Sequence, residues 1–288
     1  MIGAIIGDIV GSRFEFVEDE KRPKRFALFT PNCRATDDSF MTLAVAKALL
    51  IANGDKQKLG ELAVKFMKEI AHEHPNTGWG GSFYKWLFVP GYCVPYNSYG
   101  NGAGMRISPV GWVAESEEEV KGLSKIVTEI SHNHPEGLKG AEAVAMGVYL
   151  ARIGKNKEEI RQRLQEYYPE LKNSCFTISN IHGNYGYDDY GHWVTCQGSI
   201  PQALIAFLDS TSFEDAIRNA VCIGGDSDTI GAMAGAIAEA YYGIPIELEE
   251  KALSYLPKDL QGLCHAFSMI KKKSPAGKTS GARKIQSI

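Results

Sequence analysis

This chain has no C-x-x-C pair, no apolar run of the ~20 residues that a membrane-spanning helix needs, and no large excess of charge of either sign. Each absence excludes something. The six cysteines (Cys33, Cys93, Cys175, Cys196, Cys222, Cys264) are scattered, which argues against a disulfide framework. It points to free, mostly buried thiols and to a cytoplasmic location. A net charge of −3 leaves no overall nucleic-acid footprint. No Walker loop, Rossmann fingerprint, G-x-S-x-G elbow or Cys/His nucleophile signature is present. The run Met1 to Val10 is apolar but contains Asp8, has no basic segment before it and shows no small-residue cleavage site, so it reads as a core helix and not a signal peptide. Period-2 alternation is almost missing. Cys175 to Ile181 is the one weak strand candidate.

What is present is helical spacing within an ordinary globular balance of 44% hydrophobic and 23% charged residues. Stripes run through Ile2, Ile5, Ile6 and Ile9; through Phe40, Leu43, Ala44 and Ala48; and through Leu59, Leu62, Phe66 and Ile70. Val120, Leu123, Val127 and Ile130 continue the pattern behind Ser116 as a cap, and Pro135 opens a helix that Gly154 stops. Lys157–Tyr167, Ile200–Leu208, Phe213–Val221, Asp228–Tyr242 and Leu260–Ile270 complete the set. The spacing predicts an all-α fold, a compact many-helix bundle. Three long segments read as loops: Glu18–Arg34, Thr77–Ser108 and His182–Gln197. No linker divides residues 1–270, which form one expected domain. Residues 271–288 carry Lys and Arg without any acid and read as a disordered basic tail.

Two acidic runs stand out, Thr36-Asp37-Asp38-Ser39 and Gly224-Gly225-Asp226-Ser227-Asp228-Thr229. Carboxylates this crowded repel one another unless cations neutralise them, and oxygen ligands without His or Cys suit Mg²⁺, Mn²⁺ or Ca²⁺. Asp and Thr are also ordinary N-caps, and each run precedes a helix. Gly3, Gly7, Gly11 and Glu15 are four apart, so the glycines offer a flat helical face. Gly231 and Gly235 offer a second. If the two helices pack antiparallel, Glu15 lands near Asp228; otherwise it is a solvated helix end. Asn101-Gly102-Ala103-Gly104-Met105-Arg106 is a plain turn or a loop whose amides approach a phosphate. At least one of His132 and His134 belongs to a polar loop before Pro135, and Asp188-Asp189 reads as a solvated loop.

These elements, in this order, resemble the ADP-ribosylglycohydrolase family, which includes the dinitrogenase-reductase-activating glycohydrolase. The match is carried by Gly3-x-x-x-Gly7-Asp8-x-x-Gly11 with Glu15-Phe16, Thr36-Asp37-Asp38-Ser39, Gly100 to Pro109, His132-x-His134-Pro135 and Gly224 to Ala232. The resemblance implies an orthogonal all-α bundle with a binuclear Mg²⁺ or Mn²⁺ centre. It implies Thr36, Asp37, Asp38, Asp226, Asp228 and Thr229 as the oxygens around the metals, with Glu15, Asp37 and Asp228 nearest the chemistry. Asn101, Gly102, Ala103, Gly104 and Met105 would cradle phosphate and distal ribose, with His132 also against the substrate. The implied reaction releases ADP-ribose from an ADP-ribosylated protein or other acceptor by cleavage at C1″. A binuclear-metal phosphoesterase and a catalytically silent ADP-ribose-binding protein are the alternatives. The basic tail is a solvated extension or a contact for nucleic acid.

Overall fold

The computed structural model describes residues 1–17, 24–181 and 190–271, and these are helices joined by turns, with no strand among them. An isolated bridge between Gly100 and Thr195 is the one extended pairing among the described residues. The chain runs through α1 (Ile2–Gly11), α2 (Asp37–Ala52), α3 (Lys56–Glu73), α4 (Gly81–Phe88), α5 (Gly102–Met105) and α6 (Ser108–Val113). Next come α7 (Glu117–Glu129), α8 (Pro135–Arg152), α9 (Lys157–Leu164), a 3₁₀ turn (Pro169–Lys172), α10 (Ile178–Ile181) and α11 (Tyr190–Trp193). It ends with α12 (Cys196–Leu208), α13 (Phe213–Ile223), α14 (Ser227–Tyr242), α15 (Ile246–Leu253) and α16 (Lys258–Lys271). No helix among the described residues is long and apolar enough to cross a membrane.

Helices α1 and α14 form the axis of the molecule. Every residue of α1 is buried, as are Ser227 to Glu239 of α14, so both are apolar all round, as central helices must be. Helices α2, α8, α12 and α13 surround α14. The glycine stripe explains how the central pair comes so close. A Cβ on Gly3 would run into the Gly235 carbonyl, one on Gly7 into the Gly231 carbonyl, and one on Gly11 would sit 2.5 Å from Asp228 Cα. The pairing runs in reverse sequence order, so the helices are antiparallel. Backbone therefore lies on backbone, and the C-terminal end of α1 is delivered to the N-terminal end of α14.

This contact gives a sharp expectation. Gly7→Ala places a methyl group against backbone that has no rotamer to yield, at the upper end of the ~1–3 kcal/mol typical of overpacking. Gly122, inside α7, has nothing within 4 Å of the same construction, so Gly122→Ala gains about 0.4–1 kcal/mol from reduced unfolded-state freedom. Urea midpoints measure both; equal shifts of the same sign would contradict this reading of the helix pair.

Two expectations about local structure are corrected. Thr77–Ser108 is not a continuous loop, because Gly81–Phe88 is helical: Phe83, Trp86 and Leu87 recur at helical spacing and are buried. Cys175 to Ile181 forms no strand. Asn173 Oδ1 accepts from Cys175 N at 2.9 Å, turning the chain, and Ile178 N, at the start of α10, donates to Asp209 at 3.0 Å. No strand among the described residues offers an edge to pair with. The tail expected over 271–288 lies outside the described residues beyond Lys271, as do Asp188-Asp189 and part of each of the loops 18–34 and 182–197.

Candidate active site

Three pieces of backbone converge at the end of the α1–α14 pair. The first is the turn after α1. Phe16, at φ 47°, donates its N–H to Gly225 O at 2.9 Å, and Ser227 Oγ donates to Phe14 O at 3.1 Å. These bonds hold Glu15 against the start of α14. Gly225 needs to be glycine twice over: its φ is +63°, and a Cβ would fall into the Trp193 ring. The second piece is the N-terminus of α2, with Thr36, Asp37 and Asp38. The third is the N-terminus of α14, with Asp226, Asp228 and Thr229. Two helix N-termini thus face one another, and both favour negative charge.

Asp8, on α1, organises the second piece. Its carboxylate accepts from Thr36 N at 2.9 Å and Thr36 Oγ1 at 2.6 Å. It also accepts from Ser39 N at 3.1 Å and from Ser39 Oγ. Thr36 sits at the N-cap position of α2, but its side chain makes no capping bond. It donates to Asp8 and reaches Asp38 Oδ2 at 3.4 Å, so the simple helix-cap reading fails there. Across the junction Thr229 Oγ1 donates to Asp38 Oδ2 at 3.4 Å, while Asp38 Oδ1 is buried with no hydrogen-bond partner among the described residues.

The carboxylates fall into two overlapping groups. Asp8, Asp38 and Asp228 offer oxygens within 4.8 Å of one another, and so do Glu15, Asp226 and Asp228. Asp228 is common to both. Asp37 belongs to neither, but borders the cleft beside them, its N–H held by Thr77 O at 3.0 Å. Burial pushes Asp37, Asp38 and Asp228 well above the usual carboxylate range. The neighbouring charges, led by Asp8 for the first two and by Asp226 for Asp228, push in the same direction. Asp8 and Asp226 are raised less: burial acts upward, and hydrogen bonds, from Ser39 and Thr36 to Asp8 and from Asn101 among others to Asp226, act downward. Glu15 is raised by burial and then by the charge of Asp226, although Arg34 Nη2 lies 3.8 Å from its Oε2.

A cleft of about 290 Å³ opens from this acidic end, close to the lower bound for small-ligand sites. The same cleft is also lined by Arg106, His132, Gly100 and Gly102. Arg106 is 1% exposed; burial pulls it down to about 10, so it is still charged at neutral pH. His132 is driven well below its usual range by burial and then by the Arg106 charge.

The sequence-predicted residues divide as follows. Glu15, Asp37, Asp38, Asp226, Asp228 and Thr229 come together at the acidic end of the cleft, with Thr36 buried just behind them. Asn101, Gly102, Met105 and His132 also line the cleft. The Asn101 side chain, however, is turned to the acids: Nδ2 donates to Asp226 Oδ2 at 2.7 Å and to Trp193 O at 3.1 Å. Ala103 and Gly104 pack inward, Gly104 against Met233 and Ile200. Residues 102–105 form a helical turn, in which the amides of Ala103, Gly104 and Met105 bond to the carbonyls of Gly100 and Asn101. A broad amide cradle is therefore not what this segment builds. His134 caps α8, its Nδ1 accepting from Glu136 N at 3.1 Å. Sequence reasoning assigned no site role to Asp8, and to Arg106 none beyond its place in the 101–106 loop. A lone carboxylate in a helix that is otherwise apolar is the signal that could have found Asp8.

Comparison with known proteins adds independent information. A family model described as ADP-ribosylglycohydrolase matches residues 1–275. The chain is 24% identical to the ADP-ribosylhydrolase ARH3 of Gallus gallus, over 94% of this chain and 89% of that protein. It is 24% identical to the protein of the same name from Homo sapiens, over 93% and 88%. It is 23% identical to the ADP-ribosyl-[dinitrogen reductase] glycohydrolase of Rhodospirillum rubrum, over 84% of each. A solved structure titled ADP-ribosylglycohydrolase-related protein complex superposes with a TM-score of 0.66 at 22% identity, covering 94% of this chain and 97% of that one. That likeness establishes the all-α fold.

Proposed function

The chain belongs to the ADP-ribosylglycohydrolase family, and on that premise we propose that it hydrolyses the bond between C1″ of ADP-ribose and an acceptor atom, using two divalent cations. The observation that carries this reading is the mixed lining of one cleft. Two carboxylate groups that share Asp228 border the same cleft as Arg106 and His132. A ligand that carries both metal-binding hydroxyls and a diphosphate matches that combination.

The residues present fit Mg²⁺ or Mn²⁺. The donors are all oxygen, and Asp38 Oδ1 is buried without a hydrogen-bond partner among the described residues. Asp38, Asp226, Asp228 and Thr229 would hold the ions, with Asp37 and Thr36 beside them. Bound there, the pair would supply Lewis acidity to the ribose hydroxyls and to a water. Glu15, about a third exposed at the mouth and raised above an ordinary carboxylate, would accept a proton from a water positioned to attack C1″. The C1″–acceptor bond breaks with its electron pair going to the acceptor, which takes up a proton. The sugar passes through an oxocarbenium-like state, whose positive charge the surrounding carboxylates favour. Asp8 contributes by fixing the start of α2, and Asn101 by aiming Asp226.

The test is a panel of ADP-ribose conjugates linked through arginine, serine, a nucleic-acid base or an acetyl ester, with products identified by mass. Free ADP-ribose from at least one of them supports the reading. AMP with ribose phosphate would assign attack at phosphorus instead.

The same site gives a pH-dependent expectation. A carboxyl group whose folded-state pKa lies above its unfolded value supports the fold only while protonated. That contribution is complete below the unfolded value and is lost as pH rises through the folded one. For Asp37, Asp38 and Asp228 the shift is upward, so the chelated protein loses stability as pH rises above the ordinary carboxylate range. Cations replace the protons, and their ligands must be deprotonated to bind. The stabilisation by Mg²⁺ or Mn²⁺, about 2.7 kcal/mol at 100 times Kd, therefore grows with pH. Melting scans with and without the ion measure this; an ion-induced rise in Tm that is larger in acid would contradict it.

A further inference from the structure

We propose that Arg106 and Ser131 are positioning residues that fix His132 in the tautomer carrying its proton on Nε2, so that the cleft offers a hydrogen-bond donor at this point. The donors and acceptors around this buried ring leave one assignment. His132 is 4% exposed. Its Nδ1 lies 2.9 Å from Ser131 Oγ and 3.4 Å from Arg106 Nη2, and Arg106 Nη2 lies 2.7 Å from Ser131 Oγ. A guanidinium only donates, so Ser131 Oγ accepts from Arg106 and keeps its own hydrogen to give. The acceptor beside it is Nδ1. A proton on Nδ1 would instead point a second donor at a guanidinium whose Nε and Nη1 already have no hydrogen-bond partner among the described residues. Nδ1 is therefore the acceptor, and the ring proton sits on Nε2.

The other edge of the ring faces the cleft. A Cβ on Gly102 would stand 3.3 Å from His132 Nε2, and one on Gly100 3.6 Å; both glycines line the cleft. Any larger residue at either position would crowd the one nitrogen that can bond outward. The ring plane is held by Tyr96 and Phe83, with centroids 5.7 Å and 6.1 Å away, and Arg106 stacks on the far partner, 5.2 Å above the Phe83 ring. The order Arg106, Ser131, His132, cleft is a relay of donors, each passing a hydrogen toward the substrate. The ligand atom received there must be an acceptor, and the positive charge behind the relay favours an anionic oxygen such as that of a phosphate. Assigning that oxygen to the diphosphate of ADP-ribose rests on the proposed function; the tautomer does not.

The experiment separates the two. Long-range ¹⁵N–¹H correlation spectra of the full chain with labelled histidine, recorded without ligand at neutral pH, report the tautomer directly. The expected pattern for His132 is a single Nε2–H form, with His132→Gln identifying the signal. Ser131→Ala is expected to give mixed tautomers and Ser131→Thr to restore the single form. An Nδ1–H or imidazolium pattern in the native chain, or an unchanged spectrum in Ser131→Ala, would overturn the proposal. Binding of ADP-ribose is then measured by calorimetry. Glutamine keeps an N–H at the same reach, so His132→Gln holds affinity within about fivefold. His132→Glu presents only acceptors and loses roughly 10–100-fold, the range of a hydrogen bond to a charged group. Equal affinities for the two variants would also overturn the proposal. A native chain that shows the Nε2–H form but does not bind ADP-ribose would refute the functional reading alone.

Discussion

Asp228→Ala is expected to abolish measurable hydrolysis, with a fall of roughly 10³-fold or more in turnover, the several kcal/mol that metal-assisted charge stabilisation supplies. The reason is geometric. Asp228 is the carboxylate common to both acidic groups, Asp8–Asp38–Asp228 and Glu15–Asp226–Asp228. Its loss removes a ligand from two places at once. The same change should have an opposite effect on the metal-free fold. Asp228 is buried, and Asp226, Asp38 and Glu15 all disfavour its charge, so removing it relieves repulsion among the ionised acids. At alkaline pH, where the acids are pressed to ionise, the chelated variant should melt above the chelated parent. With Mg²⁺ or Mn²⁺ present, the order should reverse. A variant that binds ions as tightly as the parent, or melts below it under both conditions, would show that Asp228 is a structural residue.

Glu15→Gln should cost roughly 10²–10⁴-fold in turnover, the range of general acid–base assistance, while ADP-ribose still binds. Glutamine keeps the size of the side chain and leaves the backbone bond from Phe16 N to Gly225 O in place, but it does not accept a proton from water. Glu15 lies within 4.8 Å of Asp226 and Asp228 oxygens, so a second measurement is needed. Ion affinity within about tenfold of the parent, with the rate collapsed, assigns proton handling. If ion affinity falls in step with the rate, Glu15 is chiefly a ligand. An unchanged rate removes Glu15 from the mechanism.

The central helix pair could be read from the sequence because its code is short-range. Gly3, Gly7 and Gly11 recur every four residues, Gly231 and Gly235 do the same, and only an antiparallel pairing brings Glu15 to Asp228. The acidic runs were legible for a related reason: each holds several carboxylates next to one another at the start of a helix, where their crowding shows in one dimension. Asp8 was opaque. Its partners, Thr36 and Ser39, are more than a helix away in the chain, and a single acid in an apolar run does not name them. Arg106 and His132 were quoted in separate motifs, and their junction through Ser131 exists only after α5 and α8 pack together. Helix α4 was hidden by the glycines that flank it, although Phe83, Trp86 and Leu87 carry the right spacing. At Ala103 and Gly104 the glycine-rich composition suggested an open loop. The small residues instead let a helical turn press against Met233 and Ile200.

The most direct measurement is hydrolysis of an ADP-ribose conjugate by chelated protein before and after ions are returned. The account predicts no release in excess chelator, release of free ADP-ribose on adding Mg²⁺ or Mn²⁺, and no recovery in Asp228→Ala. Full turnover in excess chelator, or AMP as the product, would contradict it.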